Sequence, residues 1–430
     1  MHPRVLIVGT VPYNKMSTSR AFDAYFHNWE KENLRQIFSN TKTPCKGHCG
    51  SLYQITDHAM LRRWFGRKTV TGKIYNYDEL PDEWSSTELE VDGTVMNTAY
   101  KVGRRHTPLT HLLRGLLWRK KFWCTDELNA WMDSFAPECV FLAFSDDYFI
   151  LKIALYAAER YNIPIVSCIG DDYYFNKHFS VNPIYQLYKE SYKALVRKVL
   201  SHRGSAIYIS DKIRDKYNSE FGLDGETVYL TSNVKRKAFS PIDLEKLLIT
   251  YFGNIRMGRN KSLAEIADVL GAIDSRYKVE VYSTEEEAEY YSILKNNPHV
   301  MYGGAIPYAQ VEEKMQASDI TLVVEGFAPE DVEQSRYSLS TKAADALASG
   351  AAIFTYGSAD CGIVEYMAST HAAEVCTEKA QLEQKLRRLL TDTDLQKSYY
   401  AQQIVMTKEH HNLKRSCEVS EQVIKNAIGK

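Results

Sequence analysis

The chain has no hydrophobic run approaching the ~20 residues that a membrane-spanning helix needs. Its first residues lack the charged, apolar and small-residue succession of a secretory signal, so a cytoplasmic protein is expected. It also lacks a charge excess. Fifty-three Lys and Arg stand against 54 Asp and Glu, for a formal net charge of -1, which excludes the broad basic footprint of a dedicated nucleic-acid binder. Cysteine is sparse and scattered, with eight in 430 residues, so a disulfide scaffold is excluded and a reducing compartment fits. Only Cys45-Lys46-Gly47-His48-Cys49 crowds three possible zinc ligands together. No second Cys/His pair supplies a fourth, and a loop with free thiols and no metal is the expectation.

Several signatures are missing as well. No G-x-G-x-x-G follows a strand and no G-x-x-x-x-G-K-[ST] occurs, so dinucleotide and P-loop readings lose their main support. No D-x-D triplet stands at a strand end. Asp146-Asp147 and Asp171-Asp172 are adjacent pairs whose side chains point to opposite faces, unsuited to sharing a metal. There is no repeat of 20–50 residues and no low-complexity tract.

What remains is an ordinary globular composition, 44% hydrophobic and 25% charged, over a length that suggests two or three domains. Strands alternate with helices, the signature of parallel doubly wound sheets. In the first half, strands are predicted at Arg4–Gly9, Val140–Phe144, Ile163–Ile169, Ala206–Ile209 and Thr227–Tyr229. Helices are predicted at Phe22–Phe38, Phe149–Tyr161, Tyr185–Leu200 and Asp211–Phe221. Residues 231–241 read as a polar, basic linker ending in proline, and the alternation then restarts at Leu248–Gly253. The fold class is therefore α/β, with two Rossmann-like domains: 1–235 and 242–406. A last long polar helix is predicted over Thr407–Ile428.

The most informative stretch runs from Glu325 to Gly357. Ser338, Ser340 and Thr341 stand where N-cap residues belong, before a helix carrying Lys342 in its first turn, and Gly350 is suited to end it. A helix opening at the carboxyl edge of a parallel sheet presents free N–H groups and a positive dipole end, a ready anion site. An ordinary capped helix with a solvated lysine reads equally well locally. The same domain opens with Tyr251–Ile266, where Gly253 and Asn254 end a strand and Arg256, Arg259 and Lys261 crowd the following loop. Three cations at that edge could neutralise a diphosphate, arginine adding a two-pronged fork.

The segment S-x-S-T-K-x-x-D-x-L-A-S-G-x-x-I-x-x-Y-G, from Ser338, resembles the nucleotide-sugar segment of bacterial glycosyltransferases of family 4. Those proteins have the GT-B fold, two Rossmann-like domains facing a cleft. The resemblance covers most of the second domain and extends more loosely to the first. It implies that Arg259 and Lys261 grip the donor's phosphates and that Asp345 holds the ribose in place of the pattern's second glutamate. The first glutamate falls on Tyr337, and its contact with the donor sugar is either lost or taken by Glu325. The resemblance further implies that the last helix, 407–430, returns to the first domain, where the acceptor sits. Asp171 and Asp172 resemble a D-D-aromatic signature; Asp171 joins Arg259, Lys261 and Glu325 as the catalytic candidates, and Ser19 and Arg20, after the first strand, with Asp172 are the acceptor-side candidates. A plain turn-capping role suits Asp171-Asp172 equally well.

The activity implied is transfer of a sugar from a nucleotide diphosphate sugar, UDP- or GDP-linked, to a hydroxyl of a glycan or lipid-linked acceptor. It would proceed with retention and without metal or cofactor, in surface-glycan synthesis. A GT-B nucleotide-sugar epimerase and a catalytically silent GT-B partner are the alternatives. The segment His111–Trp123, with four cations among leucines and aromatics, suits either a buried helix with a basic outer face or peripheral contact with the inner face of a membrane.

Overall fold

The computed structural model describes residues 2–14, 19–66, 70–83, 114–175 and 182–429. The chain divides into two compact units, Met1–Val228 with Cys417–Lys430, and Tyr229–Ser416.

The first unit contains, in order, β1 (Val5–Val8), α1 (Ser19–Phe26), β2 (Leu34–Phe38), β3 (Ser51–Ile55), α2 (Asp57–Trp64), β4 (Gly72–Asn76), α3 (Lys120–Trp123) and α4 (Asp126–Asp133). It continues with β5 (Cys139–Ala143), α5 (Tyr148–Tyr161), β6 (Ile165–Ile169), α6 (Pro183–Leu200), β7 (Gly204–Tyr208), α7 (Asp211–Phe221) and β8 (Glu226–Thr227). The strands form one sheet in the order β4-β3-β2-β1-β5-β6-β7-β8, parallel except for β4. All four residues of β1 are buried, as expected of a central parallel strand covered on both faces. Local signals set the helix starts. Thr56, Thr125 and Ser210 each accept a backbone N–H three residues on, at 3.3, 3.2 and 3.4 Å.

The second unit holds β9 (Ile249–Phe252), α8 (Arg259–Ile273), β10 (Val279–Tyr282), α9 (Ala288–Lys295), β11 (Val300–Gly304), α10 (Tyr308–Ala317), β12 (Ile320–Val324) and α11 (Pro329–Ser335). After these come α12 (Lys342–Ser349), β13 (Ala352–Tyr356), α13 (Gly362–Thr370), β14 (Glu374–Cys376), α14 (Leu382–Thr391) and α15 (Thr393–Glu409); the last helix, α16 (Leu413–Gly429), belongs to the first unit from Cys417 on. Its sheet is wholly parallel, ordered β11-β10-β9-β12-β13-β14. The core lies between this sheet and its helices, with Ile249, Tyr251, Leu263, Ile266, Leu322 and Phe354 at its centre. Among the described residues, no helix is long and apolar enough to cross a membrane.

Three expectations need correction. The helix predicted over Phe22–Phe38 stops at Phe26, and Leu34–Phe38 is strand β2, in register with β1 through Val5↔Leu34. The aromatic spacing from Phe22 to Trp29 mimics a helical period, and only strand pairing separates the two. The last helix is two helices, broken at 410–412. There the His411 ring nitrogen Nδ1 meets the Leu230 carbonyl at 2.7 Å, and Asn412 caps α16 by accepting from Arg415 N. The segment read as a linker is docked on the second unit. Arg236 donates to the Leu347 carbonyl at 2.6 Å, and Lys237 N to that of Ser349 at 2.9 Å. Residues 229–235 and 407–416, expected with the first domain, thus pack in the second unit. Cys417 and Ser420 of α16 donate to the carbonyls of Asp23 and Ala24 in the first.

Candidate active site

In the second sheet β9 has β10 on one side and β12 on the other, and the chain winds away from β9 in opposite directions. The loops leaving the carboxyl ends of β9 and β12 therefore diverge, opening the crevice in which doubly wound sheets take ligands. Four segments deliver polar groups there: the end of β9, the start of α8, the residue after β12, and the start of α12.

Glu325 follows β12 and is 3% exposed. Its carboxylate accepts both prongs of the Arg259 fork, Nε to Oε2 and Nη2 to Oε1, each at 2.9 Å. Burial alone would weaken the guanidinium's hold on its proton. Glu325 outweighs it, leaving the Arg259 pKa above its ordinary value. Lys342, in the first turn of α12, donates from Nζ to the Tyr251 hydroxyl at 2.9 Å. The residue is partly covered. Burial, followed by the neighbouring Arg259 charge, lowers its pKa from 10.5 to about 7, with Glu325 opposing. Both Glu325 oxygens face Arg259, and among the described residues no carboxylate is hydrogen-bonded to the Lys342 amino group.

Gly253 makes this packing possible. Its φ is +127°, and a Cβ there would lie 2.1 Å from Lys342 Cε. Only glycine permits both the backbone and the approach. Gly258, at φ +71°, precedes α8 and lies against Asp331, which a Cβ would meet at 2.4 Å.

The other sequence candidates fall into two groups. Lys261 is exposed in the first turn of α8; burial and then Glu330 raise the pKa of nearby Asp331, with Lys261 and Arg259 opposing. Ser340 supplies the cap of α12, its hydroxyl accepting Lys342 N at 3.3 Å. Thr341 occupies the formal N-cap position, but its right-handed helical backbone leaves its side chain without a capping bond. Ser338 N donates to the Ser335 carbonyl at 3.3 Å, on the approach to α12. Gly350 ends that helix in the left-handed conformation.

Arg256 and Asn254 are committed elsewhere. The Arg256 fork is taken by Glu285 at 2.5 and 2.9 Å and by Glu287 at 2.6 Å, while Asn254 Oδ1 accepts Arg256 N at 2.7 Å. The three-cation cradle expected from the sequence is thus not gathered, because Glu285 and Glu287 after β10 claim one member. Asp345 is buried one turn into α12, where Ser232 Oγ donates to it at 2.6 Å.

In the first unit, Asp172 is a turn-fixing residue. One carboxylate oxygen accepts Tyr174 N, Phe175 N and the Tyr217 hydroxyl at 3.1, 2.9 and 2.9 Å. Asp171 beside it is exposed. Ser19 and Arg20 open α1, the first helix after β1. His48 pairs with Asp23 at 2.9 Å, and burial pushes the Cys49 thiol up to about 12, a poor state for a metal ligand. Of the segment 111–123, residues 111–113 lie outside the described residues. In the rest, Trp118 is fully buried, stacks on Phe149 at 3.7 Å and donates to Asp57, while Leu116, Arg119, Lys120 and Lys121 are exposed. Arg114 bridges Asp57 and Asp147.

The sequence reading missed Tyr251, Ser232 and Asp331. Tyr251 looks like any buried aromatic of a central strand, and only the fold shows its hydroxyl meeting Lys342.

Residues 261–419 match the family model described as "Glycosyl transferase-like". No curated protein sequence matches the chain. Among solved structures it is similar over its full length to sucrose-phosphate synthase from Thermosynechococcus elongatus. The TM-score is 0.58 at 10% identity, covering 100% of both chains. Anabaena HepE, solved in complex with UDP and glucose, gives a TM-score of 0.56 at 11% identity over 99% of each chain. A glycosyltransferase from Rickettsia africae gives 0.52 at 13% identity over 98% of each.

The chain has the GT-B fold.

The residues that match the glycosyl transferase-like model lie in its second unit up to Ser416. The cluster of Lys342, Arg259, Glu325 and Gly253 lies in that unit, on the carboxyl edge of its sheet.

Proposed function

We propose that the chain is a glycosyltransferase that binds a nucleoside diphosphate sugar, UDP- or GDP-linked, at the β9/β12 edge and transfers the sugar to a hydroxyl of a glycan or lipid-linked acceptor. The observation that carries this reading is the convergence of Lys342, Arg259 and the glycine turn at Gly253 on one switch point. Lys342 Nζ and the amide groups at the start of α12 would receive the diphosphate, with Lys261 at its rim. Arg259, held by Glu325, would add positive field without bonding directly until the pair opens. Asp345 would accept the ribose hydroxyls from within α12, with Ser232 orienting its carboxylate.

Departure of the nucleoside diphosphate builds negative charge where these cations stand. That supports a mechanism in which fixed positive groups, with no metal ion, stabilise the leaving group. Transfer with retention, acceptor binding on the first unit near Asp171, Ser19 and Arg20, and a place in surface-glycan synthesis belong to the same proposal. Engagement of Arg256 and Arg259 by carboxylates favours one competing reading, a catalytically silent partner. Incubation with UDP- and GDP-sugars, in chelator and with glycan acceptors, separates the two. Sugar transfer or slow donor hydrolysis in chelator supports the enzyme. Turnover that needs manganese or magnesium rejects the metal-free step, and binding without turnover rejects the enzyme.

A further inference from the structure

The sheet of the first unit has a switch point of its own. β1 has β2 on one side and β5 on the other, so the segments leaving β1 and β5 diverge at the carboxyl edge. Past the ends of β5 and β6 stand four tyrosines that are only half-buried. Tyr148 opens α5, Tyr173 follows β6, and Tyr185 and Tyr188 lie in the first two turns of α6. Hydrogen bonds and ring contacts fix their framework. The Tyr192 hydroxyl donates to the Ser145 carbonyl at 2.8 Å and its ring stacks on Tyr188 at 6.1 Å, while Tyr173 leans on the buried Phe144 at 6.3 Å. Lys152 and Lys189 lie over Tyr148 and Tyr185 at 4.3 and 5.8 Å, which leaves Tyr173 and Tyr188 as the pair suited to a ligand. Carboxylates stand around this pair. Burial, then Asp171, Asp146 and Asp147, raise the Tyr173 pKa, and burial with Asp146 and Asp147 raises that of Tyr188. Arg114 takes Asp147 together with Asp57. Among the described residues, no ion pair or hydrogen bond engages the Asp146 carboxylate.

We propose that this group of residues selects the acceptor by charge: the end that reacts is a saccharide ring bearing no negative charge, stacked on Tyr173 and Tyr188 with its hydroxyls donating to Asp146 and Asp171. The assignment rests on the transferase activity proposed above and names the chemistry of its acceptor. A sugar ring offers apolar C–H faces to an aromatic ring, and hydroxyls that form strong hydrogen bonds with carboxylates. A uronate, a sialic acid or a phosphate would instead be brought against like charge, and that juxtaposition selects against it. A lipid-linked acceptor fits with its phosphate held away from these residues.

The test is retention of the fluorescently labelled full chain, with UDP and GDP present, on a printed array of glycans ending in neutral sugars, amino sugars, uronates, sialic acids or sugar phosphates. Calorimetry of the same preparation with UDP and GDP runs beside it. Glycans with neutral or amino-sugar ends should be retained at least about tenfold better than those differing only by an acidic end. Tyr188→Ala should lower that retention roughly tenfold while nucleotide affinity is unchanged. Asp146→Asn, which still accepts a hydrogen bond, should raise retention of uronate-terminated glycans by about tenfold. Retention chiefly on acidic glycans, equal retention of neutral and acidic ones, indifference to both variants, or no retention on any glycan while nucleotide still binds would overturn this inference alone. A native chain that binds neither UDP nor GDP would overturn the transferase reading and this inference with it.

Discussion

Lys342 should make nucleotide binding depend on pH, in the opposite sense to the stability of the free protein. Its amino group rests on Tyr251 beside Arg259, with a pKa of about 7. A diphosphate is best held by the ammonium, so above pH 7 binding must take up a proton. Each further pH unit then costs about 1.4 kcal/mol, a tenfold loss of affinity. From pH 7 to 9 the dissociation constant for UDP or GDP should rise by up to about 100-fold. Titration calorimetry in buffers of different ionisation enthalpy should show close to one proton taken up at pH 8.5.

The free protein responds otherwise. Between about pH 7 and 10.5 the unfolded chain keeps the lysine proton and the native state has lost it, so stability rises with pH by up to about 1.4 kcal/mol per unit. Melting temperature without ligand should therefore gain from this group above pH 7, while the shift produced by nucleotide shrinks. Lys342→Arg, always charged, should bind with little pH dependence and no proton uptake. Equal affinity of the native chain at pH 7 and 9, with no proton taken up, would refute the reasoning.

Three further outcomes are expected. Gly253→Ala should abolish nucleotide binding and lower stability by about 1–3 kcal/mol, because a Cβ displaces Lys342 and φ +127° is costly for alanine; calorimetry and urea unfolding check this. Glu325→Gln should cost roughly 3–5 kcal/mol by stranding the buried Arg259 charge, and adding Arg259→Met should recover part of it, as a denaturation double-mutant cycle would show. His411, whose pKa burial lowers to about 4, should withdraw stability as pH falls from 6.5 to 4, where the unfolded chain gains a proton that the native state refuses. The loss is of order 3 kcal/mol, and thermal melts of His411→Asn should lack that component.

The second unit was largely legible in its sequence, because its strands are continuous apolar runs bounded by turn residues. Val279–Tyr282, Ile320–Val324 and Ala352–Tyr356 are strands of this kind. Lys342, Gly253, Arg259 and Glu325 were legible as individual candidates. Their mutual pairing was not, since a bidentate bond between residues 66 positions apart depends on which strands are neighbours. Arg256 shows the same limit: Glu285 lies after β10, and only the order β10-β9-β12 brings it within reach. In the first unit β2, β3 and β4 escaped notice because their polar residues, Gln36, Ser51 and Gln54 among them, are buried in side-chain hydrogen bonds and break the apolar pattern. Asp172 had a turn signal in its own sequence, and the turn is what it makes.

The central claim is that a nucleoside diphosphate sugar occupies the carboxyl edge of β9 and β12. Hydrogen exchange followed by mass spectrometry, with and without UDP- and GDP-sugars, tests it most directly. The account predicts slowed exchange confined to peptides covering 251–262, 325–328 and 340–346, and lost in Lys342→Met. Protection elsewhere in the chain, or none with any nucleotide sugar at millimolar concentration, would contradict it.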